Sequence, residues 1–113
     1  MKERKISEKP HQWMIIDTGE CYKVFASWRG GYLDGDHWKM NSGITRVEED
    51  EDYYYFYGHS GSCYQCHKEH WGYGTFWTGG VLEDIIKAGK EMGKEIKVMP
   101  RGEDWTNFKW DKE

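Results

Sequence analysis

Apolar and polar positions alternate with a period of two in several short stretches of this chain, the pattern of half-buried strands. From Cys21 to Trp28, the residues Tyr22, Val24, Ala26 and Trp28 fall on one face, and Cys21, Lys23, Phe25 and Ser27 on the other. A short apolar run, Trp13 to Ile16, predicts a strand before it, with Asp17-Thr-Gly-Glu20 as the turn between them. His37 to Met40 predicts a short strand, punctuated by Asn41-Ser-Gly43. Ile44 to Glu48 predicts another, with Ile44 and Arg46 expected on one face and Thr45 and Val47 on the other. Tyr53 to Tyr57 is an unbroken aromatic run, which favours a pleated surface. Its neighbours Glu48–Asp52 and Gly58–Gly61 read as turns, so strands over 44–48, 53–57 and 62–67 form a meander.

The period changes once. Val81, Leu82, Ile85, Ile86 and Met92 lie on one stripe at helical spacing, and Gly93 stands at the expected stop. A helix over about 81–92 follows, capped by Thr78 or Gly79, with 71–80 read as a Gly/aromatic loop. Lys94 to Met99 alternates again and ends at Pro100. One helix stripe needs a sheet to cover it. The expected fold is therefore α+β: a bent antiparallel sheet or small partial β-barrel of five to six strands with one helix packed on it. Residues 1–113 read as a single domain, with 1–10 a polar N-terminal arm.

Composition explains what fills such a core. Seven Trp, eight Tyr and four Phe stand against only two Leu, Leu33 and Leu82, so aromatics carry the buried area. Trp105, Phe108 and Trp110 predict a tail that packs back onto the fold. The formal net charge of −4 argues against tracking a nucleic-acid backbone, which needs a surplus of Lys and Arg. It suits a basic protein partner. The first ten residues have no apolar h-region, and no apolar run approaches a membrane span, so a cytoplasmic, membrane-free protein is expected.

Two stretches bear on chemistry. Cys63-Tyr-Gln-Cys66-His67 matches a c-type haem attachment pattern, but that attachment needs export. Zinc is the stronger metal reading, with Cys63, Cys66, His67 and His70 as ligands. Against it, residues three apart on an extended strand point to opposite faces, and no second Cys-x-x-Cys completes a cage. The acidic run Glu48, Glu49, Asp50, Glu51, Asp52 lacks the ligand order of a calcium loop and reads as a hairpin tip. No nucleophile, base and orienting group stand out as a catalytic set, so a binding protein is expected rather than an enzyme, with no cofactor.

Aromatics bordering acid are typical of interface centres. The expected partner-binding residues are Glu48 to Asp52 with Tyr53, Tyr55 and Tyr57, which share one strand face. Two alternatives stand beside this. A nucleotide-like small ligand would bind the loop 71–80 through Trp71, Tyr73, Phe76 and Trp77. A zinc-stabilised structural module would use the Cys/His set.

Asn41-Ser-Gly-Ile44, Tyr53-Tyr-Tyr-Phe-Tyr57 and Ser60-Gly-Ser-Cys-Tyr-Gln-Cys-His-Lys68 together resemble a pattern in small phage and prophage proteins. There, a strand leads to a Ser-Gly-Ser-x-Tyr turn and a returning strand. The resemblance covers about a quarter of the chain and transfers no functional residue. It implies a compact β protein of mobile-element origin, a class rich in anti-defence inhibitors. The reading that joins these points is an anti-CRISPR or related inhibitor of a host nucleic-acid-binding defence component, acting through an acidic, aromatic-rich surface.

Overall fold

The structure, a computed structural model, describes residues 5–29, 37–72 and 76–112. The side chains of Phe76 and Trp77 lie outside that description, as do Tyr73 and the expected turn at 33–36. The first hairpin forms where the alternation is cleanest. β1 (Gln12–Asp17) pairs antiparallel with β2 (Tyr22–Trp28), in a register that sets Ile15 opposite Val24. Asp17 accepts the Gly19 N–H at 2.8 Å, and Gly19 takes a φ of 89° that a side chain would resist. β3 (His37–Met40) adds to β2, and β7 (Lys97–Val98) adds to β1, giving a four-stranded sheet ordered β3-β2-β1-β7.

The chain then turns a corner at Asn41-Ser-Gly43 and starts a second sheet. β4 (Ile44–Glu49), β5 (Tyr53–Gly58) and β6 (Cys63–His67) form the expected meander, in the order β4-β5-β6. The architecture is thus α+β and antiparallel, as the alternation implied. Among the described residues it has seven strands in two sheets, however, where one bent sheet or partial barrel of five to six was expected. The corner is the reason: Gly43 has a φ of 125°, and Asn41 Oδ1 accepts the Val24 N–H at 3.0 Å in place of a strand neighbour. Among the described residues the two sheets do not close into a barrel.

The sheets face each other across the larger core. Trp13 and Ile15 of β1 and Val24 and Ala26 of β2 meet Val47, Phe56, Tyr64 and Cys66 of the second sheet. The tail packs back as expected, with Trp105 buried and parallel to Trp71 at 5.9 Å between ring centres. One expected detail fails. A bulge between Ile44 and Arg46 shifts the register, so Ile44 and Val47 are buried while Thr45 and Arg46 are exposed. The N-terminal arm is also more than a loose extension. Over Ser7 and Glu8 it lies along β6, with Ser7 N–H donating to the Cys63 carbonyl at 2.8 Å and Gln65 N–H to the Glu8 carbonyl at 3.0 Å.

The helix α1 (Phe76–Glu91) covers the other face of the first sheet. Leu82, Val81, Ile85 and Ile86 pack on Ile16 and Phe25. It begins five residues before its expected start, with Thr78 and Gly79 buried inside it rather than capping it. Burial here outweighs the ~1 kcal/mol that glycine costs a helix relative to alanine. Met92, expected on the stripe, lies beyond the last turn and is 74% exposed. The stop holds: Gly93 has a φ of 79°, Lys94 N–H reaches the Gly89 carbonyl at 2.7 Å, and Gly93 N–H reaches Lys90 at 3.1 Å. Among the described residues no helix is long and apolar enough to cross a membrane.

Candidate functional site

Strand period divides the second sheet into two unlike faces. Tyr54 and Phe56 of β5 point into the core with Val47, Tyr64 and Cys66. By the same register Arg46, Glu48, Tyr53, Tyr55, Tyr57, Cys63, Gln65 and His67 share the outer face. The expected partner-binding residues therefore stand together on one hairpin, with the acids at its tip.

Hydrogen bonds tie tyrosine to acid along this face. Asp50 organises the tip: its Oδ1 accepts the N–H groups of Asp52 at 3.0 Å and Tyr53 at 2.8 Å, and its Oδ2 accepts the Tyr55 hydroxyl at 2.6 Å. Glu48 accepts the Tyr57 hydroxyl at 3.0 Å and pairs with Arg46 at 2.6 Å. The Arg46 guanidinium lies 3.7 Å from the centre of the Tyr57 ring. Burial and the hydrogen bond to Glu48 push the Tyr57 hydroxyl above its ordinary range. Glu49 pairs with Lys68 at 2.6 Å, and Lys68 is held protonated above its usual range by that bond.

Two corrections follow from this geometry. Tyr55 is 5% exposed, flanked by Tyr53 and Gln65 in the central strand, so it supports the face rather than offering a contact. Asp50 is a turn-forming residue, so its charge is not available as a free contact. Glu51 and Asp52 remain exposed, and among the described residues no cation pairs with them. The accessible part of the face is Tyr53 and Tyr57, both half-buried, with the exposed Arg46 guanidinium over the Tyr57 ring, Glu48 beside it, and Glu51 and Asp52 at the rim.

The Cys/His set is placed differently. Cys63 and Cys66 are both buried on β6 but point to opposite faces, Cys66 into the core and Cys63 to the tyrosine side. His67 stacks on His70 at 4.3 Å between ring centres. Cys63 and His67 share a face, yet four residues along a strand separate them by roughly 13 Å. Among the described residues no three Cys, His, Asp or Glu side chains converge as a metal site would need. Burial drives the Cys66 thiol well above its ordinary pKa, with Cys63 adding to the effect. Alkylation of the folded protein is expected to label the half-buried Cys21 and to spare Cys63 and Cys66. Peptide mass mapping checks this, and early modification of Cys66 would contradict its place in the core.

The loop expected over 71–80 does not exist as a loop, because its second half is the first turn and a half of α1. Trp71 does not stand open: it bridges to Trp13 and lies between the Trp13 and Trp105 rings, at 5.0 and 5.9 Å. The remaining members of that set, Tyr73 and the side chains of Phe76 and Trp77, lie outside the described residues.

One feature has no counterpart among the expected sites. The corner at Asn41-Ser42 meets the turn at Ser60–Ser62, bringing serine hydroxyls together across two segments. In linear order these residues signal only turns. No family model matches the sequence, and neither a curated protein nor a solved structure matches the chain.

Proposed function

We propose that this chain is a non-enzymatic binding protein that engages a basic protein through the outer face of the β4-β5-β6 sheet. The observation that carries the reading is the tyrosine row, Tyr55 and Tyr57 bonded to Asp50 and Glu48, with two exposed acids, Glu51 and Asp52, at its rim that pair with no cation among the described residues. A rigid aromatic patch loses little side-chain entropy on binding, and rim acids attract a cationic surface during encounter. The net charge of −4 acts in the same direction. The partner class that fits is a nucleic-acid-binding host protein, whose basic groove such a surface would occupy. With the Ser-Gly-Ser-x-Tyr resemblance, this becomes an anti-defence inhibitor of mobile-element origin, working in the cytoplasm.

The test leaves Asp50 intact, because changing it would disturb the tip itself. A Glu51→Lys, Asp52→Lys double variant is expected to lose about tenfold or more in affinity for a basic, nucleic-acid-binding protein captured by the wild type, mainly through slower association. The wild type should also displace nucleic acid from that partner, and added salt should weaken its binding. Equal binding by the double variant and by a Tyr53→Ala, Tyr57→Ala variant would reject this face as the contact surface.

A further inference from the structure

The seam between the Asn41–Gly43 corner and the Gly58–Ser62 turn holds a set of polar groups that neither core nor tyrosine face uses. The Ser42 and Ser60 hydroxyls lie 3.1 Å apart, and those of Ser60 and Ser62 3.4 Å apart. The Ser60 N–H donates to Ser42 Oγ at 2.9 Å, which locks turn to corner. With Asn41, Lys39 and Glu8 they line an open cleft of about 380 Å³. That volume is at the small end of ligand sites and suits a single ring-sized molecule.

Asn41 is the residue that turns a polar crevice into a candidate site. It is 4% exposed, and its Oδ1 accepts the Val24 N–H at 3.0 Å. That bond fixes the amide: turned over, its NH2 would face another donor. Nδ2 is left buried on the seam side, with no hydrogen-bond partner among the described residues. An unpaired buried donor costs on the order of 1–3 kcal/mol. Gly58 beside it admits no side chain, because the serine hydroxyls already fill that space. A Cβ at Gly58 would come within 2.8 Å of Ser42 Oγ, 2.9 Å of Ser62 Oγ and 3.4 Å of Asn41 Nδ2. Polar atoms from two separate segments thus converge on one point. Nδ2 and the Ser42 and Ser62 hydroxyls all approach Gly58.

Charge selects the ligand class. Lys39 Nζ pairs with Glu8 Oε1 at 3.1 Å, so the cleft is formally neutral. An anion entering it would compete with Glu8 for the ammonium and face the carboxylate. A neutral polyol meets a donor at Asn41, further donors on Lys39, an acceptor at Glu8, and serine hydroxyls able to do both. We propose that this seam is a binding site for a neutral, hydroxyl-rich small molecule of monosaccharide size. The site is independent of the tyrosine face and stands or falls separately from it.

Amide NMR spectra of the full-length protein, titrated with glucose, galactose, ribose and glycerol in turn, test this. Sodium phosphate and sodium acetate serve as the anionic arm. At least one neutral compound is expected to give saturable shifts at the Asn41 side-chain amide and at Ser42, Ser60 and Ser62. Ser60→Ala, at an exposed turn position, should weaken that binding about tenfold while leaving resonances elsewhere in place. Ser62→Ala provides a second variant should the first disturb the turn. Linear, non-saturating shifts with every neutral compound would overturn the proposal, as would saturation by phosphate or acetate alone.

Discussion

Trp13→Ala is expected to destabilise the fold by roughly 3–5 kcal/mol, the cost of deleting a large aromatic from a packed core. Trp13 is 1% exposed and sits where both layers and the tail meet. Its ring lies 5.0 Å from Trp71, 5.3 Å from Phe56 and 6.0 Å from Tyr54, between ring centres. Its Nε1–H donates to the His67 carbonyl at 2.6 Å, and its own backbone bonds His70 and Gly72. One side chain thus joins β1, the end of β6 and the segment leading to α1. Against a total stability of about 5–15 kcal/mol, such a loss removes roughly a fifth or more of the margin. Urea denaturation checks it: the midpoint should fall sharply with little change in slope. Trp28→Ala, at the half-buried end of β2, should cost clearly less. A Trp13→Ala loss below ~1 kcal/mol would mean that the two sheets do not share this core.

Alkaline pH is expected to unfold the chain sooner than its carboxylates and lysines alone would imply. Burial raises the Cys66 thiol well above 9.0 and the Tyr64 hydroxyl from 10.0 to about 12, with Glu8 adding to the latter. Burial raises Tyr54 and Tyr57 in the same direction. Each group therefore holds its proton more tightly in the folded chain than in the unfolded one. Below pH 9.0 both forms are protonated and the stabilisation is complete. As pH rises past 9.0, and then past 10.0, the unfolded chain releases protons first and gains stability relative to the fold. The Tyr64 displacement alone corresponds to on the order of 2–3 kcal/mol, developed as pH approaches 12. Urea midpoints measured across neutral to alkaline pH should fall through this window. Cys66→Val should move the onset of the fall from the thiol range towards the tyrosine range. A flat profile in the wild type would show that these groups are solvated in the fold.

Several features of the site are legible in the sequence. Tyr53, Tyr55 and Tyr57 share a face because strand period is two whatever the fold, and the acids adjoin them because a hairpin needs a polar tip. The same rule correctly placed Cys63 and Cys66 on opposite faces of one strand. What chain order could not assign was the use of each group. Asp50 is spent on the turn, Tyr55 is enclosed, and Glu51 and Asp52 stand exposed at the rim with no cation paired to them among the described residues. These outcomes depend on which neighbours arrive across strands, and neighbours are not written in linear spacing.

The same division runs through the whole chain. Alternation, turn chemistry and the helical stripe determined that antiparallel strands and one helix would form, and that aromatics would fill the interior. These are local matters of dihedral preference and amphipathic period. The tertiary structure alone decided that the strands part into two sheets at Asn41–Gly43, and that α1 runs back through Thr78 and Gly79. It alone brought Ser42 against Ser60 and left Asn41 Nδ2 with no acceptor among the described residues. Each of these is settled by burial and by hydrogen bonds between residues distant in sequence, whose free energies exceed the local preferences that a chain read in order reveals.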